Sequence, residues 1–88
     1  MIMGNTKEIT AKKTHYCVEG FEEPCFEVSN GFVTIRIAPY YHYIGANTLM
    51  VTEYIDGDYN SSEELRGDFE SLTKSDAIRI AKEYSAYL

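Results

Sequence analysis

The chain has 88 residues, 44% of them apolar and 14% aromatic, which is a length for one domain (1–88) and too hydrophobic a composition for a disordered chain. Eight Lys and Arg stand against fourteen Asp and Glu, a net charge of −6 that argues against a nucleic-acid-binding surface, because neutralising phosphates takes clustered cations. No apolar run approaches the roughly 20 residues of a membrane span. Met1 to Asn5 lacks the regions of a signal peptide, so a cytoplasmic location and reduced thiols at Cys17 and Cys25 are expected.

Residues 1–13 are polar and unpatterned and read as a loose N-terminal arm or a short first element. Thr14 to Glu19 is rich in strand formers and alternates weakly, so a strand is expected there. Gly20 and Pro24 then bracket an acidic turn. Asn30-Gly31 predicts a two-residue type I′ hairpin turn, since both residue types tolerate positive φ. That turn would set Val28 against Val33 and Phe26 against Ile35 on one side, with Glu27 against Thr34 and Cys25 against Arg36 on the other.

Pro39 ends or bends the second strand of this hairpin. Tyr40 to Ile44 and Leu49 to Ile55 predict two more strands around the loop Gly45-Ala46-Asn47-Thr48. In the later one Leu49, Val51 and Ile55 share a face, while Met50, Thr52 and Tyr54 share the other. Asp56-Gly57-Asp58 has turn chemistry. Ser61-Ser62-Glu63-Glu64 resembles a helix start, with Ser61 as N-cap, Glu64 three residues on and Gly67 as the stop. The main helix is predicted over Thr73 to Leu88, capped by Thr73 and with Asp76 near its positive dipole end. Ala77, Ile80, Ala81, Tyr84 and Leu88 form its buried stripe, widened by Ile78 and Tyr87. The expected fold is α+β: two layers, an antiparallel sheet of four or five strands with the C-terminal helix packed on one face.

Chemistry-bearing constellations are weak. His15, Cys17, Cys25 and His42 supply two imidazoles and two thiols, but their spacing fits no close-paired zinc motif. Asp56-x-Asp58-x-Asn60 matches the opening of a calcium loop and fails where that loop needs Gly (Ser61) and a bidentate Glu (Gly67). Cys17 and His15 share a strand face, yet their Cβ atoms would stand roughly 6–7 Å apart, too far for direct activation. No Gly-rich phosphate loop or nucleophile elbow is present, so no catalytic residue, metal or cofactor is expected and the chain reads as a non-enzyme. The segment from Asn30 to Ile37 is only faintly like an RNA-binding strand, with Arg36 as the single charge between Val28 and Thr52.

The charge itself is concentrated. Residues 53–70 hold Glu53, Asp56, Asp58, Glu63, Glu64, Asp68 and Glu70 against Arg66, a net −6 equal to the imbalance of the whole chain. A second cluster, Glu19, Glu22, Glu23 and Glu27, contributes −4 and is offset by the basic remainder. Tyr40, Tyr41, Tyr43, Tyr54 and Tyr59 place five of the eight tyrosines within twenty residues of each other, beside the acidic block. Acids next to exposed aromatics suit a basic partner surface, where charge steers the encounter and aromatics anchor it. The expected partner-binding residues are Glu53, Tyr54, Asp56, Asp58, Tyr59, Glu63, Glu64, Asp68 and Glu70.

In its size, its hairpin-rich sheet followed by a helix from Thr73 to Leu88, and its acidic block from Glu53 to Glu70, the chain resembles the small acidic α+β inhibitors encoded by phages, anti-CRISPR proteins in particular. The resemblance is one of type, with no residue motif behind it. It implies a protein-binding inhibitor that engages a basic, nucleic-acid-binding partner such as a Cas effector in the host cytoplasm. Direct contact with nucleic acid or membrane is not implied, and the chain would be a monomer or a small homo-oligomer. The alternatives are a small self-associating structural or accessory domain and, further off, a small enzyme or metal-binding module.

Overall fold

Glu19 and Asp56 are the two non-glycine residues with positive φ among the described residues, at 49° and 51°, and each is followed by a glycine at 87° or 86°. Two consecutive left-handed residues make the type I′ turn whose twist suits a hairpin. These turns organise the sheet seen in the computed structural model, which describes residues 8–40 and 47–88. The strands are β1 (Thr10–Val18), β2 (Phe21–Ser29), β3 (Val33–Pro39), β4 (Thr48–Ile55) and β5 (Asp58–Arg66). They form an open antiparallel meander in the order β1-β2-β3-β4-β5, with β1 and β5 as its edges. A short 3-10 turn (Phe69–Ser71) and one helix, α1 (Lys74–Tyr84), complete the chain.

Several expectations are corrected. Thr10 to Lys13, expected in a loose arm or a short element of their own, belong to β1, and Glu19 lies in the turn after it. Pro24 sits within β2 opposite His15, not at the end of a turn. It is tolerated there because β3 pairs only with Phe26–Ser29, which leaves the preceding residues of β2 with a partner strand on one side. The β1–β2 ribbon therefore runs on past β3, and the Cα extents are 48 × 25 × 20 Å.

The Asn30-Gly31 turn is not type I′, because only Gly31 has positive φ. The Asn30 side-chain oxygen instead accepts from the backbone N–H groups of Phe32 (3.0 Å) and Val33 (2.8 Å), which lengthens the loop. Strand pairing is displaced by two residues from the expected register: Phe26 meets Ile37, Glu27 meets Arg36, Val28 meets Ile35 and Ser29 meets Thr34. An even displacement keeps every side chain on its expected face. The expected strand Tyr40 to Ile44 falls, beyond Tyr40, outside the described residues, as do Gly45 and Ala46 of the loop after it.

Ser61-Ser62-Glu63-Glu64 is strand, not helix. Its capping pattern is local, and the segment has no apolar stripe to hold a helix against a core. The turn at Asp56-Gly57 returns the chain alongside β4, which satisfies the β4-facing side of the β5 backbone by ladder bonding from Asp58 to Arg66.

Phe26, Val28, Val33, Ile35, Ile37, Leu49 and Val51 share one side of the sheet and form a single buried cluster with Phe69, Ala77, Ile80 and Ala81. Burying an Ile or Leu side chain of this kind is worth about 1.5–3 kcal/mol. Helix α1 starts as predicted: Thr73 Oγ1 accepts from Asp76 N (3.1 Å) and Asp76 Oδ2 accepts from Thr73 N (3.0 Å). It ends at Tyr84, four residues before the predicted end, because Ser85 turns extended and its hydroxyl is engaged elsewhere. Tyr84, Leu88 and Ile78 are packed on the core as expected, whereas Tyr87 is 63% exposed.

Candidate functional site

Strand β4 alternates, and its odd-numbered residues from Leu49 onward face the core cluster. Glu53 shares that parity, so it lies inside, opposite Ile35, and is only 6% exposed. Its carboxylate accepts from the Ser85 hydroxyl at 2.5 Å and from the Asn60 amide at 2.8 Å. A β-bulge positions that amide. Glu53 pairs with Ser61 and Tyr54 with Tyr59, so Asn60 is the extra residue of β5 and is free to turn toward Glu53. Beside it, Ser61 Oγ and the Tyr84 hydroxyl lie 2.9 Å apart, a second link from β5 to the helix. Glu53 is therefore a buried joint between β4, β5 and the end of α1, and it presents nothing to a partner. The even-odd pattern of Leu49, Val51 and Ile55 contains the signal that would have placed it there.

Tyr54 points to the opposite face and is half-buried. The Arg36 guanidinium lies between Tyr16 and Tyr54, 4.4 Å and 5.0 Å from the ring centres, and donates through Nη1 to the Tyr54 hydroxyl at 3.0 Å. Glu27, opposite Arg36 in register, holds a carboxylate oxygen 4.0 Å from Arg36 Nε and another 3.9 Å from Lys12 Nζ. Burial raises the Tyr16 pKa above its usual value, with the charge of Glu23 adding to the effect. This Tyr–Arg–Tyr stack was not legible from spacing, since it joins β1, β3 and β4. It also shows that the second acidic cluster is partly neutralised internally.

The remaining expected residues are exposed and strung along one margin. Asp56 and Asp58 lie at the β4–β5 turn, with Tyr59 next to them, 63% exposed and edge-on to Tyr54 at 6.3 Å between ring centres. Glu63 and Glu64 project to opposite faces of β5, paired with Val51 and Met50. Asp68 caps the 3-10 turn, accepting from Glu70 N and from the Ser71 hydroxyl at 2.7 Å, and Glu70 follows it on the surface. A nine-residue strand is about 27 Å long, so these acids are spread along a line, with Glu64 and Asp68 together lining an open cavity of about 730 Å³ at its far end. None of Asp56, Asp58, Glu63, Glu64, Asp68 and Glu70 takes part in an ion pair among the described residues.

The cysteines are free thiols. Cys17 is exposed and Cys25 buried, and in the β1–β2 register Cys17 meets Glu22 while Cys25 meets Thr14. Burial, helped by the charge of Glu27, raises the Cys25 pKa. Among the described residues no group of three or more His, Cys, Asp or Glu is placed to hold a metal ion; His42 lies outside them. No helix of the described residues is long and apolar enough to cross a membrane. No protein-family model, curated protein or solved structure matches the chain. Function has to be argued from its own residues.

Proposed function

We propose that the chain is a non-enzymatic, protein-binding inhibitor whose acidic margin engages the basic surface of a nucleic-acid-binding partner. The observation that carries this reading is the line of exposed carboxylates from Asp56 to Glu70 along β5 and its flanks, none in an ion pair among the described residues and all but the capping Asp68 without an internal partner there. Charges that served only to hold the fold would be expected to find internal partners, as Glu27, Asp76 and Glu83 do. Tyr59, exposed at one end of the line, supplies an aromatic anchor. Shared burial of Ala77, Ile80 and Ala81 with β2 to β4 supports a two-layer arrangement with α1 across one face.

A partner that handles nucleic acid in the cytoplasm, a Cas effector being the type the resemblance implies, offers a groove of the right sign. The chain would occupy it in place of nucleic acid, with neither nucleic acid nor membrane as its own ligand. The test is capture from host lysate at low and high salt by the natural chain and by a Glu63→Lys, Glu64→Lys, Asp68→Lys variant. The reading expects capture that weakens with salt and falls by orders of magnitude in the variant. Equal capture by a variant with an unchanged circular-dichroism spectrum would overturn it.

A further inference from the structure

Strand β5 is bonded to β4 on one side and has no strand on the other among the described residues. Its nine residues include no Pro; a bulge at Asn60 near the turn and the charges of Asp58, Glu63, Glu64 and Arg66 guard it, three of those four charges being acids that a basic segment would neutralise. From Ser61 to Arg66 the strand is regular, with an open row of backbone donors and acceptors. Beside this stretch a cleft of about 290 Å³ opens between α1 and the β4–β5 ladder. Leu49, Leu65, Leu72 and Ile80 line it, with Arg79 and Glu83 from the helix.

We infer that β5 binds its partner by strand addition, taking an extended basic segment of another protein as a sixth strand. The inference rests on the proposed acidic-margin reading and adds the mode of binding to it. An added strand points alternate residues to opposite faces. One set lies on the face of Ser62, Glu64 and Arg66, where Lys or Arg is matched at Glu64. The other set lies on the face of Glu63 and Leu65, where an apolar side chain is matched at Leu65 and the cleft. A second copy of this chain fits less well, because it would bring the same Glu63 and Glu64 to the edge, and like charges across a strand pair are destabilising.

The probe is a nonapeptide of alternating Lys and Val, titrated by fluorescence anisotropy against the full chain and compared with two others. One carries N-methyl groups on alternate residues, which removes strand pairing and keeps charge and side chains; the other replaces Lys by Glu. Expected are saturable binding of the first, slowed amide exchange confined to β5, and affinity at least about tenfold lower for both comparison peptides. Equal binding of the N-methylated peptide would overturn strand addition and leave the acidic-margin reading standing. Equal binding of the Glu peptide would overturn the basic occupant. A dimer in ultracentrifugation whose β5 amides are protected without any peptide would show that a second copy takes the edge, and would also overturn it. Failure of the acidic-margin reading is registered separately, by unchanged lysate capture after charge reversal.

Discussion

Ser85→Ala is expected to destabilise the protein by about 1.5–3 kcal/mol, far more than a serine at the end of a helix ordinarily would. The reason lies in what the hydroxyl holds. Glu53 and Ser85 are the two buried polar or charged residues among those described, at 6% and 2% exposure, and their hydrogen bond is 2.5 Å long. Loss of the hydroxyl leaves a buried carboxylate with Asn60 as its one remaining side-chain donor, and little room for water to substitute. The Ser85 oxygen also accepts from Tyr87 N at 3.2 Å, so the last turn loses a tether as well. For a domain of this size the change corresponds to a fall in Tm of roughly 6–24 °C. Urea unfolding of Ser85→Ala, Glu53→Ala and the double variant would test it, because a true pair couples. The double variant is expected to be hardly less stable than Glu53→Ala alone. A Ser85→Ala variant within about 0.5 kcal/mol of the natural chain, or strictly additive losses, would refute a carboxylate joint.

Four further outcomes follow from local geometry. Glu19→Asn, at a position with φ of 49° ahead of Gly20, is expected to recover about 1 kcal/mol of left-handed backbone strain, measured as a rise in the urea midpoint with unchanged slope. Thr73→Ala is expected to cost about 1 kcal/mol through the lost cap. The hydrogen bond from Thr73 N holds the Asp76 carboxyl below its usual pKa, so its contribution is complete above about pH 4 and is lost as pH falls through the lower folded value. Asp76→Asn should accordingly flatten the acid limb of stability against pH, and an unchanged limb would count against the capping box as its source. A neutral-pH thiol reagent should modify Cys17 promptly and reach Cys25 only on unfolding, since Cys25 is buried and its pKa raised; equal rates in the native protein would contradict that placement.

How far the sequence could be read depended on the span of the interaction behind each feature. Thr73 and Asp76 cap α1 as expected because the two residues satisfy each other three positions apart. The sides of the hairpin strands were legible for a similar reason, since alternation survives the two-residue displacement between Phe26 and Ile37. The displacement itself was not legible. It turned on whether the Asn30 side chain accepted hydrogen bonds from Phe32 and Val33 or left its backbone to go left-handed. The expected site split for the same kind of reason. Asp56, Asp58, Tyr59, Glu63, Glu64, Asp68 and Glu70 stand at the surface, while Glu53 faces the core and Tyr54 braces Arg36.

Composition and local pattern were enough for an acidic chain of antiparallel hairpins closed by a capped helix, with its charge placed between residues 53 and 70. It took the packing of distant strands to make Ser61-Ser62-Glu63-Glu64 part of an edge strand, to seal Glu53 against Ser85, and to set Arg36 between Tyr16 and Tyr54. Caps and turns are settled by neighbours within a few residues, whose chemistry is written in order along the chain. An edge, a buried carboxylate and a cross-strand stack depend on which distant strand arrives alongside, and that is set by the burial of the whole apolar cluster at once.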